Sequence, residues 1–377
     1  MDIIPKDCCG CAACVAVCHQ QAIQIEQDKM GFYYPKLFQG KCIDCGACDR
    51  VCPVKEKETE KCEADEYEQK AFAVRHKKIS EVKQSRSGAM FVALSDKVLE
   101  NGGVVYGAGF TTHFRVVHKR AQNKKERDEF RGSKYAQSDM SGIYFQIKAD
   151  LKNNKTVLFS GTPCQLAALN KYIPFSLKKK LICVDVICHG VASPKVWDDF
   201  ITYVERKEGK SLNSVNFRDK LVFGWSGLHR ESFVFSDCKT RTYPFTYYQP
   251  FLIRKCCNHC RYASLNRVSD ITIGDFWGWE HVVPDMVNDD LGVSLVLCNT
   301  AKGNELFKSV DECIYKIKVP LNKCLQPNLK YPTKKDVRRD IFEADYIKYG
   351  FKYVLDKYWE VSFKDWIKHY VKRILGK

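Results

Sequence analysis

Two runs, CCGCAACVAVC (residues 8–18) and CIDCGACDRVCP (residues 42–53), decide how the first part of the chain is read. The first spaces its thiols as Cys8-x2-Cys11-x2-Cys14-x3-Cys18. The second repeats the spacing as Cys42-x2-Cys45-x2-Cys48-x3-Cys52, with Pro53 directly after it. A 4Fe–4S cube offers four iron corners, each needing one thiolate. Three closely spaced cysteines on a tight loop reach three corners, and the fourth ligand comes from elsewhere. In two-cluster ferredoxins the fourth cysteine of each run serves the other cluster. That rule assigns Cys8, Cys11, Cys14 and Cys52 to one 4Fe–4S cluster, and Cys42, Cys45, Cys48 and Cys18 to a second. Gly10 and Gly46 relax the loops, and the small residues Ala12, Ala13 and Ala47 let the backbone close around each cube. Cys9 falls outside the spacing and reads as a spectator. Pairs of C-x2-C also suit zinc, but two complete runs ending in proline favour the ferredoxin reading.

The rest of the composition agrees with an intracellular metalloprotein. Twenty cysteines in 377 residues are too many to ignore. The chain is neither short nor led by a basic and then apolar segment, so a disulfide scaffold and a signal peptide are both disfavoured. No stretch approaches the roughly 18 uninterrupted apolar residues of a membrane span. A cytoplasmic location is the expectation. The formal charge is +16, from which three oxidised clusters would remove about six units. The remainder suits an acidic redox carrier such as a soluble ferredoxin, or an anionic cofactor. It does not come from the cysteine-rich part, where residues 1–58 hold seven Lys/Arg and eight Asp/Glu. No aromatic-interleaved basic pattern points to nucleic acid.

Texture divides the chain into four parts: a 2[4Fe–4S] ferredoxin-type domain (1–58), a charged linker (59–70), a larger domain (71–320) and a basic helical tail (321–377). From Ala71 short apolar strands alternate with amphipathic segments. Strands are expected at 71–75, 103–106, 156–159, 181–187, 271–274 and 293–298, and helices at 88–100, 140–152 and 164–172. The alternation predicts an α/β (α+β) fold, with a mainly parallel or mixed sheet behind the dicluster module. The tail, 331–377, carries twelve Lys/Arg against seven Asp/Glu with aromatics at near-helical spacing. A helix packed on its own protein is the favoured reading, and one resting on a membrane surface the alternative.

Beyond residue 60 the chemistry-bearing cysteines stand singly. Cys164 lies in VLFSGTPCQLAAL (157–169), a strand, a turn and a helix with Thr162 as N-cap and Pro163 in the first position. The first helical turn favours a thiolate or an anionic cluster. Cys188 follows the strand 181–187, and Cys257-x2-Cys260 follows Cys256 in RKCCNHC (254–260). Each alone reads as a buried structural thiol, and Cys164 also as a catalytic one. Together Cys164, Cys188, Cys257 and Cys260 supply four ligands for a third cluster. Cys256 is an alternative to Cys257 as the partner of Cys260, with the spacing favouring Cys257.

Several segments resemble the coenzyme F-420 hydrogenase/dehydrogenase beta-subunit family: SRSGAMFVAL (85–94), RGSKYAQS (131–138), GTPCQ (161–165), ICHGVASPKVW (187–197), FRDK with GW (217–225) and NRVSDITIGDFWG (266–278). Similar ferredoxin-fused proteins occur in bacterial polysaccharide-biosynthesis clusters. The resemblance implies bound FAD with a 4Fe–4S cluster beside it. It implies a pyrophosphate cradle at Ser87 and Gly88 and cofactor contacts from Ser133, Lys134, Tyr135, Gly161 and Thr162. Arg218 and Lys220 are further cations for the cofactor, with ordinary ion pairing the alternative; Asp270 and Asp275 flank a strand where they position the flavin or a loop, with a turn cap the alternative for Asp275. Lys134 is expected near the edge of the flavin ring. His189 is expected either to protonate product or to hydrogen-bond a cluster sulfide. Two departures stand out. The usual S-G-G reads Ser87-Gly88-Ala89, and the arginine-proline-serine before C-x2-C reads Arg254-Lys255-Cys256.

The expected activity is therefore an FAD- and 4Fe–4S-dependent oxidoreductase linking a ferredoxin-type donor to an organic substrate. An electron-transfer beta subunit beside a partner subunit, and a deazaflavin oxidoreductase, are the alternatives. A homo-oligomer is compatible with all three.

Overall fold

The computed structural model describes residues 5–55, 67–227, 229–243 and 246–359. Most of the expected linker (59–66) and the end of the expected tail (360–377) lie outside the described residues. In the dicluster module a hairpin of β1 (Ile23–Gln27) and β2 (Tyr33–Leu37) separates the two cysteine runs. The runs take the same backbone path: Gly10 and Ala12 in the first, Asp44 and Gly46 in the second, all have positive φ. Each run then enters a short helix, Ala13–Val17 or Ala47–Arg50. A small or polar residue tolerates such left-handed turns best.

The remaining strands are β3 (Lys70–His76), β4 (Val104–Phe110), β5 (Val116–Ala121), β6 (Val157–Gly161), β7 (Leu181–Val186), β8 (Leu212–Asn216), β9 (Ser232–Phe235), β10 (Thr240–Thr242), β11 (Ile271–Asp275), β12 (Ser294–Cys298) and β13 (Ile314–Val319). Eight of them form one mixed sheet in the order β13-β3-β12-β11-β7-β6-β4-β5. Its centre, β11-β7-β6-β4, is parallel, and its flanks are antiparallel. Val157, Leu158, Phe159, Leu181 and Val184 in the central strands are all buried, as continuous apolar runs covered on both faces must be. The edge strand β13 buries only its two end residues and exposes Lys316 and Lys318, a pattern that discourages further strand pairing.

All six expected strands correspond to observed ones, and the three expected helices appear as Met90–Glu100, Ile143–Lys152 and Pro163–Tyr172. The fold is mixed α/β with an N-terminal ferredoxin-like module, as the texture predicted. The small sheet β8-β9-β10 was not expected. It shares a core with Trp197, Phe200 and Val204 of the helix Pro194–Glu208. The tail contributes a helix, Arg339–Tyr358, broken at Gly350, whose Phe342, Tyr346, Val354 and Leu355 are buried in that same core. Among the described residues no helix is long and apolar enough to cross a membrane.

Candidate functional site

The first run closes on a void of about 30 Å³ whose walls include Cys9 and Cys48, the latter assigned to the other cube, together with Cys8, Cys11, Cys14 and Cys52. The last four are the thiols that the crossed spacing rule puts on one cube. Among the described residues no three His, Cys, Asp or Glu side chains converge on a single metal ion. The module is bound tightly to the large domain. Arg254 Nε donates to Cys8 O at 3.0 Å, and Gln137 Nε2 to Cys9 O at 3.2 Å. Ser193 Oγ donates to Met30 O at 2.5 Å, and Tyr262 Oη to Pro53 O at 3.2 Å. Met30 and Phe32 are buried in the same core as Trp197.

Next to that void lies a larger cavity, about 280 Å³, near the lower end of ligand-cleft volumes. It opens at the carboxyl ends of β6, β7 and β11, where open parallel sheets place their sites. Cys164, Cys188, Cys257 and Cys260 all line it, and Cys256 does not. The C-x2-C spacing that favoured Cys257 therefore agrees with which thiol reaches the cavity. Each thiol has a structural reason to be there. Thr162 N donates to Gln165 Oε1 at 2.9 Å, and with Pro163 it starts the helix that carries Cys164 in its first turn. Burial pushes the Cys188 thiol up, and Gly190 N, donating to its Sγ at 3.3 Å, opposes that shift. The loop after Cys260 is pinned to β7 by Arg267, which pairs with the fully buried Asp185 at 2.5 Å and donates to Tyr262 O and Ser264 O.

Gly190 has φ +104, and a Cβ there would stand 2.7 Å from Ile253 Cγ2 and 3.2 Å from Cys257 Cβ. Only glycine lets the Cys188 loop approach Cys257 this closely. Gly190→Ala is expected to lose a large part of any iron bound in this cavity, measured per chain after anaerobic purification, with the ferredoxin-module iron unchanged.

The cavity's other end is cationic. Arg218 Nη1 donates to Asp275 Oδ2 and to Tyr135 Oη, each at 3.1 Å. Arg86 Nε lies 3.5 Å from the same Asp275 carboxylate. Two guanidinium groups thus share one carboxylate, leaving a net positive site. Ser85 Oγ and Arg218 Nε and Nη2 are buried without a hydrogen-bond partner among the described residues. Buried donors left unpaired are costly, and their residues line the cavity. An anionic, acceptor-rich group such as a dinucleotide fits this donor set. Lys134 Nζ donates to the carbonyls of Glu129 and Arg131 at 2.6 and 2.9 Å. Burial pushes Lys134 down to about 7, with Glu129 opposing. Its charge is present below that value and lost above it, so affinity for an anionic cofactor should fall as pH rises through about 7. Titrations of wild type and Lys134→Arg across that range check this, because arginine keeps its charge and should flatten the profile.

Ser133, Tyr135, Gly161, Thr162 and His189 line the cavity. Burial lowers the His189 pKa, and its carbonyl accepts from Tyr248 Oη and Thr333 Oγ1. Three expected residues do not face it. Lys220 is buried, with Nζ donating to Ser87 O and Leu291 O. Asp270 accepts from Cys183 N and Thr300 Oγ1, away from the cavity. Gly88 packs against the sheet, where a Cβ would meet Val74 O at 2.2 Å. Ser87 reaches the cavity wall, but its hydroxyl donates to Val293 O at 2.7 Å. The departure at Ala89 has a backbone cost, since that residue is left-handed with φ 66 at the start of the helix Met90–Glu100. Sequence reasoning missed Arg86, Gln137 and His118. His118 is fixed by Ser138 Oγ and Ser160 O, and burial lowers it to about 4. It also passed over Cys9, which lines both the void and the cavity.

Comparison with known families finds two matches. Residues 154–321 match the C-terminal domain of the coenzyme F420 hydrogenase/dehydrogenase beta subunit, and residues 7–55 match the 4Fe–4S dicluster domain. Among solved structures, a chain of the F420-reducing NiFe hydrogenase complex from Methanosarcina barkeri is similar at 16% identity and a TM-score of 0.46, over 76% of this chain and 91% of that one. No curated protein matches.

Proposed function

We propose that this chain, an iron–sulfur electron-transfer protein related to the coenzyme F420 hydrogenase/dehydrogenase beta subunits, passes electrons between a ferredoxin-type donor and a substrate through 4Fe–4S clusters and FAD. The observation that carries this reading is the adjacency of two chambers. The thiol-lined void of the dicluster domain and the four-thiol cavity share Cys9 as a wall.

In this reading residues 1–58 hold two cubes and 71–320 form the catalytic domain, with 59–70 as linker and 321–377 as tail. Cys42, Cys45, Cys48 and Cys18 hold the cube nearer solvent, where Cys45 is exposed. Cys8, Cys11, Cys14 and Cys52 hold the next. Cys164, Cys188, Cys257 and Cys260 hold a third at the thiol end of the cavity. FAD, when bound, accepts electrons singly from clusters and delivers them as a pair. Arg86, Arg218 and Ser85 supply donors and charge for its anionic part. Tyr135 and Asp275 hold the Arg218 guanidinium in place, and Lys134 adds a charge that depends on pH. His189, beside Cys188, is placed either to hydrogen-bond a cluster sulfide or to move a proton to product. Lys220 and Asp270 hold the chain together and have no cofactor role.

The beta-subunit relationship favours a second form of the same reading, in which a partner subunit supplies the electrons. The test is anaerobic reduction of the full-length protein by three donors. Reduced ferredoxin is expected to bleach the flavin absorbance within the mixing experiment. Bleaching by a reduced deazaflavin alone would move the assignment to a deazaflavin oxidoreductase. Bleaching by neither, with dithionite effective, would leave only a partner subunit as donor.

A further inference from the structure

Arg254 is fully buried, and what surrounds its charge is unusual. Its Nε donates to Cys8 O and its Nη1 to Gln137 Oε1, each at 3.0 Å. Its Nη2 has no hydrogen-bond partner among the described residues. The guanidinium lies 3.9 Å from the ring centre of Tyr34 and 5.4 Å from that of Phe32. None of these contacts is a carboxylate. The ionisable groups that face it are Tyr34 and the thiols of Cys8, Cys9 and Cys256. A buried cation needs a compensating negative charge; besides the Cys256 thiol that faces it, a thiolate-ligated cube in the adjoining void would supply one. The backbone is shaped to admit the arginine: a Cβ on Gly10 would stand 2.5 Å from Gln137 Nε2 and 3.1 Å from Arg254 Nη1. The other cysteine run differs. Its arginine, Arg50, donates to Cys45 O at 3.1 Å in an exposed setting, where water screens the charge.

We propose that Arg254 is a positioning residue that raises the midpoint potential of the cube held by Cys8, Cys11, Cys14 and Cys52, so that electrons settle there before entering the inner cavity. The step is the addition of one electron with no proton. It takes the cube and its four thiolates from a net charge of about −2 to about −3. A fixed buried cation stabilises the more negative state, because the low dielectric around it preserves the attraction. The exposed cube, beside a screened arginine, gains much less. The proposal rests on the ligand reading given above for these four thiols.

The test is an anaerobic redox titration of full-length wild type, Arg254→Gln, Arg254→Met and Arg254→Lys, poised with dithionite and read by EPR. For Gln and Met, the reduced-to-oxidised ratio of one cube is expected to fall about tenfold at fixed solution potential, about 59 mV downward for one electron. The other ferredoxin cube and the iron content stay unchanged. Lysine, which keeps the charge, should hold the shift below about threefold. Unchanged potentials in Gln or Met protein with full iron content would overturn the proposal. If Gln and Met both lose a cube, lysine decides. A lysine variant that keeps it near the wild-type potential supports the proposal, and one that also loses it shows a purely structural role and overturns it. Cys8→Ser run alongside separates the two layers of inference. If the cube it perturbs is not the one moved by Arg254→Gln, the ligand pairing fails. If Cys8→Ser perturbs one cube and Arg254→Gln moves neither, only the arginine's role fails.

Discussion

Cys164→Ala is expected to lower the iron of anaerobically purified protein from about twelve to about eight atoms per chain, a loss of about four, the content of one cube. Cys164 sits in the first turn of a helix that begins at Pro163, with its sulfur 3.2 Å from Thr162 Oγ1. The residue cannot be replaced by a neighbour from the same turn, because the helix fixes which side chain faces the cavity. Cys9 also lines the cavity and its thiol contacts Cys164, while Gln137 holds its carbonyl. Spectra of the two ferredoxin cubes should be unchanged in the variant. Cys256→Ala is the matched control and should keep all of the iron, since Cys256 does not line the cavity. Unchanged iron in Cys164→Ala would remove that thiol from the ligand set.

Arg218→Ala is expected to weaken flavin binding roughly ten- to hundredfold. Each charge-assisted hydrogen bond contributes about 1.5–3 kcal/mol, and a tenfold change in affinity corresponds to about 1.4 kcal/mol. Arg218 offers two buried unpaired donors at the cavity, so one such bond lost already gives that range. Its removal also leaves Asp275 with Arg86 as its remaining guanidinium, which lowers the local charge by one. Lys220→Ala supplies the contrast. Its ammonium is spent on two backbone carbonyls, so its loss should lower the melting temperature while leaving flavin affinity near wild type. Equal affinity in Arg218→Ala and wild type, by fluorescence titration of deflavinated protein, would take Arg218 out of the cofactor site.

How much of this was legible in the sequence follows from what kind of signal each feature leaves. The dicluster module was readable because cube coordination imposes a fixed thiol spacing. The central strands were readable because burial on both faces leaves uninterrupted runs such as VLF at 157–159 and LICV at 181–184. The hairpin of β1 and β2 and the small sheet β8-β9-β10 carry polar residues on one face, so their periodicity is diluted. Site residues divided in the same way. Cys164, Cys188, Cys257 and Cys260 announced themselves by chemistry, although their placement on one cavity wall depends on Gly190 and on the Asp185–Arg267 pair, neither of which has a sequence signature. Lys220 and Asp270 carried the right charge in the right motif, but only tertiary structure reveals that their side chains are occupied elsewhere. Arg254 sat in plain view two residues before Cys256. A lone arginine in a loop gives no hint that it will be buried against the other domain.

In the proposed function a third cube and a flavin share one chamber behind the ferredoxin module. Counting iron, acid-labile sulfide and released flavin in protein purified without oxygen tests it most directly. About twelve irons, about twelve sulfides and one FAD per chain are expected, from three four-iron cubes. About eight irons with no yellow chromophore on denaturation would contradict it.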